Sequence, residues 1–588
     1  MAATSTLRIA LAQTDPTVGD LDGNARQVLA WTAKAAEAGA HLVAFGEMQL
    51  TGYPVEDLVF RESFVSASRA RVDALAAELA DAGLGETVVV TGYVDADGPA
   101  RMDADSDPDR GPRDALAVIH RGRVVTRYFK HHLPNYGVFD EDRYFVSGDV
   151  LQVVRIAGVD VAFTICEDIW QAGGPFAVAR GAGVGLVVNI NASPYERNKD
   201  DRRVSLVKRR AAEAGATVAF VNIVGGQDEL VFDGDSLIVD EAGTVLTRGP
   251  QFTEHLLVHD LVLPAAGDVP AAGAGGAEMT VAHTVVTSDV VPAPAPQLAG
   301  GVAEPLSDLA EVWYALVTGL RDYVRKNGFR TVVFGLSGGI DSALVAALSA
   351  DAIGPENVYA VSMPSRFSSE HSRDDAADLA KRTGINYVSE PIEAMMDAFL
   401  GQITLDGLAL ENLQPRIRGL ILMGLSNQHG HLVLAPGNKT EYATGYSTLY
   451  GDTVGGYAPI KDVMKLMIFA LASWRNEEAE RRGETPPIPV NTIVKPPSAE
   501  LREDQQDTDS LPPYEILDPI VEGYVDGDLG RAGLIAAGHD DALVDRVIKL
   551  IDRAEYKRRQ TAPGPKISVK NFGRDRRLPI TNRWVEKA

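Results

Sequence analysis

The sequence predicts an α/β protein of two domains, a sandwich of helices flanking sheets followed by a doubly wound parallel sheet. Three observations carry that prediction. At 588 residues the chain exceeds what one hydrophobic core supports. Short β-rich runs alternate with helical stretches through both halves. Two Pro/Ala/Gly-rich stretches, 264–277 and 292–304, interrupt that alternation near the middle and cannot pack much core. The expected division is therefore a first domain over 1–265, a connection over 266–305 and a second domain over 306–588.

In the first domain LRIALAQ, HLVAFGE, TVVVTGYV, DALAVIHRG, DVAFTICED, VGLVVNINAS, TVAFVNIVG and DSLIVDEAG read as strands, with a helix over 24–39. The polar insertion at 101–113 reads as a surface loop. Within the connection TVAHTVVTSDVV is long enough for one strand, so the segment is expected to drape over a domain. In the second domain VVFGLS, NVYAVSMPS, INYVSEPI and HLVLAP alternate with amphipathic helices, the pattern of a doubly wound parallel sheet.

Composition narrows the function. Hydrophobic residues at 45% and charged residues at 23% are ordinary globular values. A net charge of −25 argues against nucleic acid as the main partner, because nothing over the whole surface would attract phosphate. No apolar run is long enough to span a membrane, and the first residues lead into a strand rather than a signal peptide. One cysteine forms no internal disulfide, which points to a reducing cytoplasm.

The most informative segment follows the strand TVVFGL: Ser337-Gly338-Gly339-Ile340-Asp341-Ser342, running straight into the helix pattern SALVAALSA. A strand, a glycine-rich turn and a helix N-terminus make a phosphate cradle of backbone N–H groups and helix dipole. No lysine stands in the turn, so it is not the GxxxxGK[ST] loop of ordinary nucleotide triphosphatases. It resembles the SGGxDS loop of the ATP pyrophosphatase family, which cuts ATP between its α and β phosphates.

In the first domain, the only cysteine, Cys166, ends the strand run VAFTICEDIW. Glu47 in VAFGEMQLTGYP and Lys130 in RYFKHHLPNYGVF also stand just past strands. A lone cysteine is more often a small buried hydrophobe than a nucleophile. The three together resemble the Glu-Lys-Cys triad of the nitrilase superfamily over roughly residues 5–260, which implies a nitrilase-like α-β-β-α sandwich. The residue types suit amide hydrolysis: Glu47 takes the thiol proton, and the Lys130 ammonium stabilises the oxyanion. The resemblance further places Glu141 as the carboxylate that orients the lysine. It places Tyr136, Ser193 and Lys199 where the glutamine-hydrolysing branch holds the amino acid. His131 and His132 lack metal-ligand spacing and read as structural.

Further on, AVSMPSR follows a second strand, ENLQPRIRGLILMGLSNQ carries two arginines within three positions, and APGNKTEYATGY and YGDTVGGYAPIKD are rich in turn residues and carboxylates. With PPSAEL, DSLPPYE and EYKRRQTAPGPKIS, these segments resemble the NAD synthetase family in its bacterial glutamine-dependent form, over almost the whole chain. That family uses a doubly wound sheet of the adenine nucleotide α-hydrolase type. The implied reaction joins ammonia from L-glutamine to nicotinic acid adenine dinucleotide (deamido-NAD) through an acyl adenylate. Carried over by position, the ATP site is Gly335, Leu336, Ser337, Gly338, Gly339, Ile340, Asp341, Ser342, Met363, Pro436, Lys465 and Ser498. The deamido-NAD site is Asn412, Arg416, Glu441 and Lys557, and Mg²⁺ sits at Asp341 and Glu441, so Glu441 is assigned twice. Where the single-domain form carries a GTDHAAE loop this chain has PGNKTE, which loosens residue roles there. A homo-oligomer and a protected ammonia path between the domains are further expectations.

The basic stretch 553–577 stands out in an acidic chain and is expected to close over dinucleotide phosphates or a neighbouring subunit. Two rival functions remain open at this stage: a different glutamine amidotransferase on the same ATP loop, and a regulatory protein whose nitrilase-like half is inactive.

Overall fold

The computed structural model describes residues 3–98, 109–267, 279–294 and 296–586. Most of the polar insertion at 101–113, and the Pro/Ala/Gly run from 268 onward up to 278, lie outside the described residues. The chain forms two compact units, Met1–Gln227 with Phe232–Leu306, and Asp228–Val231 with Ser307–Ala588.

The first unit is an α-β-β-α sandwich. Thr4–Gln13 pairs antiparallel with His255–Pro264 on one side and parallel with Leu42–Phe45 on the other. Val88–Ala96, Pro112–His120 and Arg123–Phe129 complete a six-stranded sheet. Alternation along the first strand sorts side chains between two cores: Leu7, Ile9 and Leu11 face the second sheet's apolar residues. Ala10 and Ala12 face helices Leu21–Glu37 and Glu62–Asp81. The second sheet has seven strands, and helices Gly174–Ala182 and Lys199–Ala214 pack against it.

The edge of that sheet is Thr280–Val285, paired parallel with Val150–Ile156. The strand expected inside the connection therefore exists, and residues up to Leu306 cluster with the first unit rather than standing apart as a linker.

Arg203, on helix Lys199–Ala214, is wholly buried and holds Asp233 at 2.9 Å and Asp235 at 3.2 Å. Removing one partner of a buried ionic cluster strands the other charges. Arg203→Ala is therefore expected to cost about 3–5 kcal/mol, read as a lowered urea midpoint for the first unit.

In the second unit four parallel strands stand in the spatial order Asn386–Ser389, Val358–Ser362, Val332–Gly335, Leu432–Val433. In chain order this is 3-2-1-4, so the direction of winding reverses between Val332–Gly335 and Leu432–Val433. The carboxyl ends of those two strands flank the crevice where open α/β sheets bind ligands. Helix Ile340–Ile353 follows the first of them and is apolar almost all round, as a helix buried on most sides must be. Helices Tyr514–Val525 and Asp541–Arg553 build a separate core with Tyr442 and Ala443. No helix among the described residues is long and apolar enough to cross a membrane.

The basic stretch 553–577 departs from expectation. Arg558 is buried against Glu555 and donates to the carbonyls of Tyr442 and Ala443. Lys566 pairs with Asp575, Arg576 lies near Asp552, and Lys570 pairs with Asp528. These cations are spent inside the unit, pinning the chain's last segments to its helices. Clustering of like charge in the sequence said nothing of the acids waiting elsewhere.

Candidate active sites

In the first unit Glu47, Lys130 and Cys166 come together at the ends of three strands. Lys130 Nζ lies 2.6 Å from Glu47 Oε1 and 2.6 Å from Glu141 Oε2, all buried. Glu47 Oε2 accepts the backbone N–H of Ala192 at 2.7 Å, and Glu141 Oε1 accepts the Tyr53 hydroxyl at 3.0 Å. Glu141 is thus a buried ion-pair partner of Lys130, not the surface acid its Asp140/Asp142 neighbours suggest.

Cys166 opens a 3-10 turn directly after strand Val159–Ile165, with φ of +38°, a sparsely populated conformation for a residue with a side chain. Asp168 holds that turn. One carboxylate oxygen accepts Ile165 N–H at 2.9 Å and the Tyr128 hydroxyl at 2.7 Å; the other accepts the N–H groups of His131 and His132 at 3.2 and 2.9 Å. A single buried acid therefore fastens the cysteine turn to the lysine segment. Sequence reasoning missed it, because Asp168 reads there as part of a short acidic turn.

Burial, reinforced by the neighbouring Glu47 carboxylate, pushes the Cys166 thiol well above its ordinary range, so the resting sulfur keeps its proton. Burial also raises Glu141, to about 7. Desolvation opposes the Lys130 charge, but the carboxylates of Glu141 and Glu47 outweigh it and hold the ammonium protonated.

Tyr136, Ser193 and Lys199 surround this centre. Tyr136 is exposed and donates to Glu167 Oε2 at 2.9 Å, beside Cys166. Ser193 is buried, its N–H bound to Asn222, and Lys199 Nζ donates to the Pro194 carbonyl at 2.8 Å. Tyr136 and Lys199 both lie near enough to Cys166 to feel its charge. Glu167, which the Tyr136 hydroxyl contacts, was not among the residues expected from sequence.

The second unit carries a cavity of about 270 Å³ at the reversal in winding, lined by Gly335, Leu336, Ser337, Gly339, Ile340, Asp341, Ser342, Met363, Pro436, Lys465 and Ser498. Gly338 sits in the turn with φ of +82°, and a Cβ there would meet the Ser372 carbonyl at 2.1 Å. Only glycine fits. Ser342 Oγ donates to the Gly339 carbonyl at 3.0 Å and accepts Ser337 N–H at 3.3 Å, closing the turn on itself.

The PGNKTE loop faces this turn across the reversal in winding. Asn438 caps helix Lys439–Thr444 reciprocally with Glu441, and its side-chain amide donates to Asp341 Oδ1 at 2.8 Å. Lys465 Nζ lies 2.6 Å from Asp341 Oδ2 and 3.5 Å from Glu441 Oε1. Burial and the Asp341 charge push Glu441 up to about 8. The two carboxylates already share one cation, so this oxygen donor set suits a hard divalent ion as well.

Asn412, Arg416 and Lys557 do not line the cavity. They converge on the segment 445–449, whose Tyr446 and Ser447 line it: Asn412 accepts from Thr448, Arg416 donates to the Leu449 carbonyl, and Lys557 donates to the carbonyls of Gly445 and Ser447. Arg418, by contrast, lines the cavity and donates to the Met363 carbonyl at 3.0 Å. Burial lowers it to about 10. Helix spacing alone gave no way to distinguish it from a solvated arginine.

Lys439, in the same loop, is wholly buried. Its ammonium holds Asp462 at 2.9 Å and Asp526 at 2.7 Å, and donates to Ser568 Oγ and the Lys570 carbonyl.

A carbon-nitrogen hydrolase family model matches residues 8–271, and an NAD synthase family model matches residues 312–561. The fold and the two sites thus define a ligase joined to an amide-hydrolysing unit of nitrilase type. The chain is 42% identical to the glutamine-dependent NAD(+) synthetase of Rhodobacter capsulatus, over 100% of both chains. It is 42% identical to that of Thermotoga maritima, over 99% of both. Among solved structures it resembles the glutamine-dependent NAD+ synthetase from Acinetobacter baumannii in complex with ADP, with TM-score 0.71, 36% identity, and coverage of 99% of this chain and 100% of that one. The chain belongs to the glutamine-dependent NAD(+) synthetase family.

Proposed function

We propose that this chain hydrolyses L-glutamine at Cys166 and uses the ammonia to amidate nicotinic acid adenine dinucleotide, consuming ATP. One observation carries the reading: an intact Glu47–Lys130–Cys166 set and an intact SGGIDS turn stand in one chain that aligns end to end with glutamine-dependent NAD(+) synthetases. An identity of 42% with a glutamine-dependent NAD(+) synthetase over the whole chain weighs against a different amidotransferase, and the intact triad disfavours an inactive nitrilase-like half.

Glu47 takes the thiol proton as sulfur attacks the amide carbon, and Lys130 faces the oxyanion. Collapse expels ammonia, which leaves with the proton from Glu47. Water, deprotonated by the same carboxylate, then cleaves the thioester to glutamate. Glu141 orients Lys130 throughout. Tyr136, Ser193 and Lys199 hold the amino acid.

In the second unit the dinucleotide's nicotinate carboxylate attacks the α-phosphorus of ATP, pyrophosphate leaves, and ammonia displaces AMP from the acyl carbon to give NAD⁺. The SGGIDS turn, with Met363, Pro436 and Ser498, holds ATP, and Lys465 faces its phosphates. Asn412, Arg416 and Lys557 support the dinucleotide side through the 445–449 segment. Asp341 and Glu441 would hold Mg²⁺, which when bound would neutralise polyphosphate charge.

The test is one incubation of protein, MgATP, glutamine and nicotinic acid adenine dinucleotide, following NAD⁺, AMP and glutamate together. NAD⁺ matched by AMP, with glutamate formed, supports the reading; glutamate without NAD⁺ overturns the choice of acceptor.

A pH dependence follows from Lys199. Burial, with the positive Arg203 nearby, pushes its ammonium down to about 8. Its charge is therefore present at neutral pH and disappears as pH rises through about 8. The KM for glutamine is expected to climb above that pH while kcat stays level. Lys199→Met should show the raised KM already at pH 7, with no further climb.

A further inference from the structure

Three carboxylates, not two, surround the Lys130 ammonium. Asp114, on strand Pro112–His120, lies with its Oδ2 3.2 Å from Lys130 Nζ, fully buried. Oxygens of Glu47, Asp114 and Glu141 fall within 4.8 Å of one another. Were all three ionised, one ammonium would face three negative charges in a place without water. Such an excess is too costly to bury, and a proton is retained instead.

The hydrogen bonds assign that proton. Glu47 accepts from Lys130 Nζ on one oxygen and from Ala192 N–H on the other. Glu141 accepts from Lys130 Nζ and from the Tyr53 hydroxyl. Two of the three Lys130 N–H groups, the Ala192 N–H and the Tyr53 hydroxyl all go to those two acids. Neither oxygen of Asp114 accepts a hydrogen bond. A carboxylate whose nearest donor, the Lys130 ammonium at 3.2 Å, is already shared by two better-supplied acids is the member that holds the proton.

We propose that Asp114 is protonated in the resting site and donates its hydrogen to Glu47, acting as a neutral positioning residue for the Glu47–Lys130 pair. The proton reduces the cluster's excess from two negative charges to one and leaves Glu47 free to take the Cys166 proton. The titratable groups facing Asp114 are Glu47, Glu141 and Lys130, with Cys166 and Tyr53 completing the cluster. Burial raises Asp114 well above the usual carboxylate range, in keeping with this assignment. The proposal rests on reading Cys166 as the glutamine-hydrolysing nucleophile.

Asp114→Asn keeps the shape, stays neutral and still donates through its amide. In the full-length enzyme it is expected to retain kcat/KM for glutamine within about threefold at neutral pH, while Asp114→Ala, which lacks the donor, loses about tenfold or more. The fall of kcat at pH well above the Lys199 transition, as distinct from the KM rise that Lys199 sets, should move to higher pH in Asp114→Asn, because the proton lost there in the native enzyme no longer exists. Equal and large losses in both variants at neutral pH would overturn the proposal, as would an unmoved alkaline limb. A failure of Asp114→Asn to fold, read by circular dichroism, would overturn it too, since a neutral isostere replaces an already neutral group at little cost. Failure of the underlying reading shows separately, as glutamine-driven synthesis that survives Cys166→Ala.

Discussion

Cys166→Ala is expected to abolish glutamine-driven NAD⁺ formation, by at least about 10⁴-fold, while leaving ammonia-driven formation within about twofold of the native rate. The size of the loss follows from the absence of a substitute. Cys166 is the chain's only cysteine, and the turn that presents it is built around that position, from the strained backbone to the four bonds of Asp168. Glu47 and Lys130 would remain paired, so a water molecule would have to attack an unactivated amide. The survival of ammonia-driven synthesis follows from the second site being made wholly of residues beyond Ser307. Both routes are read in one assay, with glutamine or ammonium chloride as nitrogen source. Equal loss of both would show that Cys166 serves the fold instead.

Lys465→Met is expected to act oppositely, lowering both routes together by about 10²–10³-fold. The ammonium is buried, and it is the one cation bridging Asp341 of the glycine turn to Glu441 of the PGNKTE loop among the described residues. Methionine preserves the stem and removes the charge. Two carboxylates then face each other without compensation, Glu441 takes up a proton more readily, and the polyphosphate loses its partner. Lys465→Arg is not expected to rescue fully, because a planar guanidinium cannot occupy the place of a compact ammonium. The comparison to make is NAD⁺ formation with each nitrogen source at saturating MgATP. A Lys465→Met enzyme that keeps the ammonia route would sink this account.

These two sites differ in how far the sequence revealed them. Glu47, Lys130 and Cys166 were legible because each follows an apolar strand directly, and a strand's last residue has few places to point. The SGGIDS turn was legible for the same reason, with the glycines marking where the backbone must bend. Asp114 was not, since DALAVI reads as ordinary alternation and a single polar residue at its start looks like a strand end. Arg416 and Arg418 stand two positions apart on one helix, yet one holds a loop carbonyl at Leu449 and the other lines the cavity. Only the partners decide, and they come from segments distant in the chain. In the basic stretch 553–577 the sequence shows the charges, with Glu555 and Asp575 inside the stretch and Asp528 and Asp552 before it, but only the fold shows which cation each acid meets.

Lys439 carries a consequence for how the protein is made. Its buried ammonium anchors the loop beside the glycine turn, and it does so partly through Ser568 and the carbonyl of Lys570. On the ribosome those partners are synthesised 131 residues after the lysine itself (570 − 439). At roughly 5–20 residues per second that is a wait of roughly 7–26 s. Before it ends, the residues of the glycine turn, of the four described strands and of Asp462 and Asp526 have been made, but the loop's ammonium still lacks its last two partners. The cavity beside the glycine turn is therefore among the last parts of the molecule to close, and translation itself sets the earliest moment at which it can take its final form.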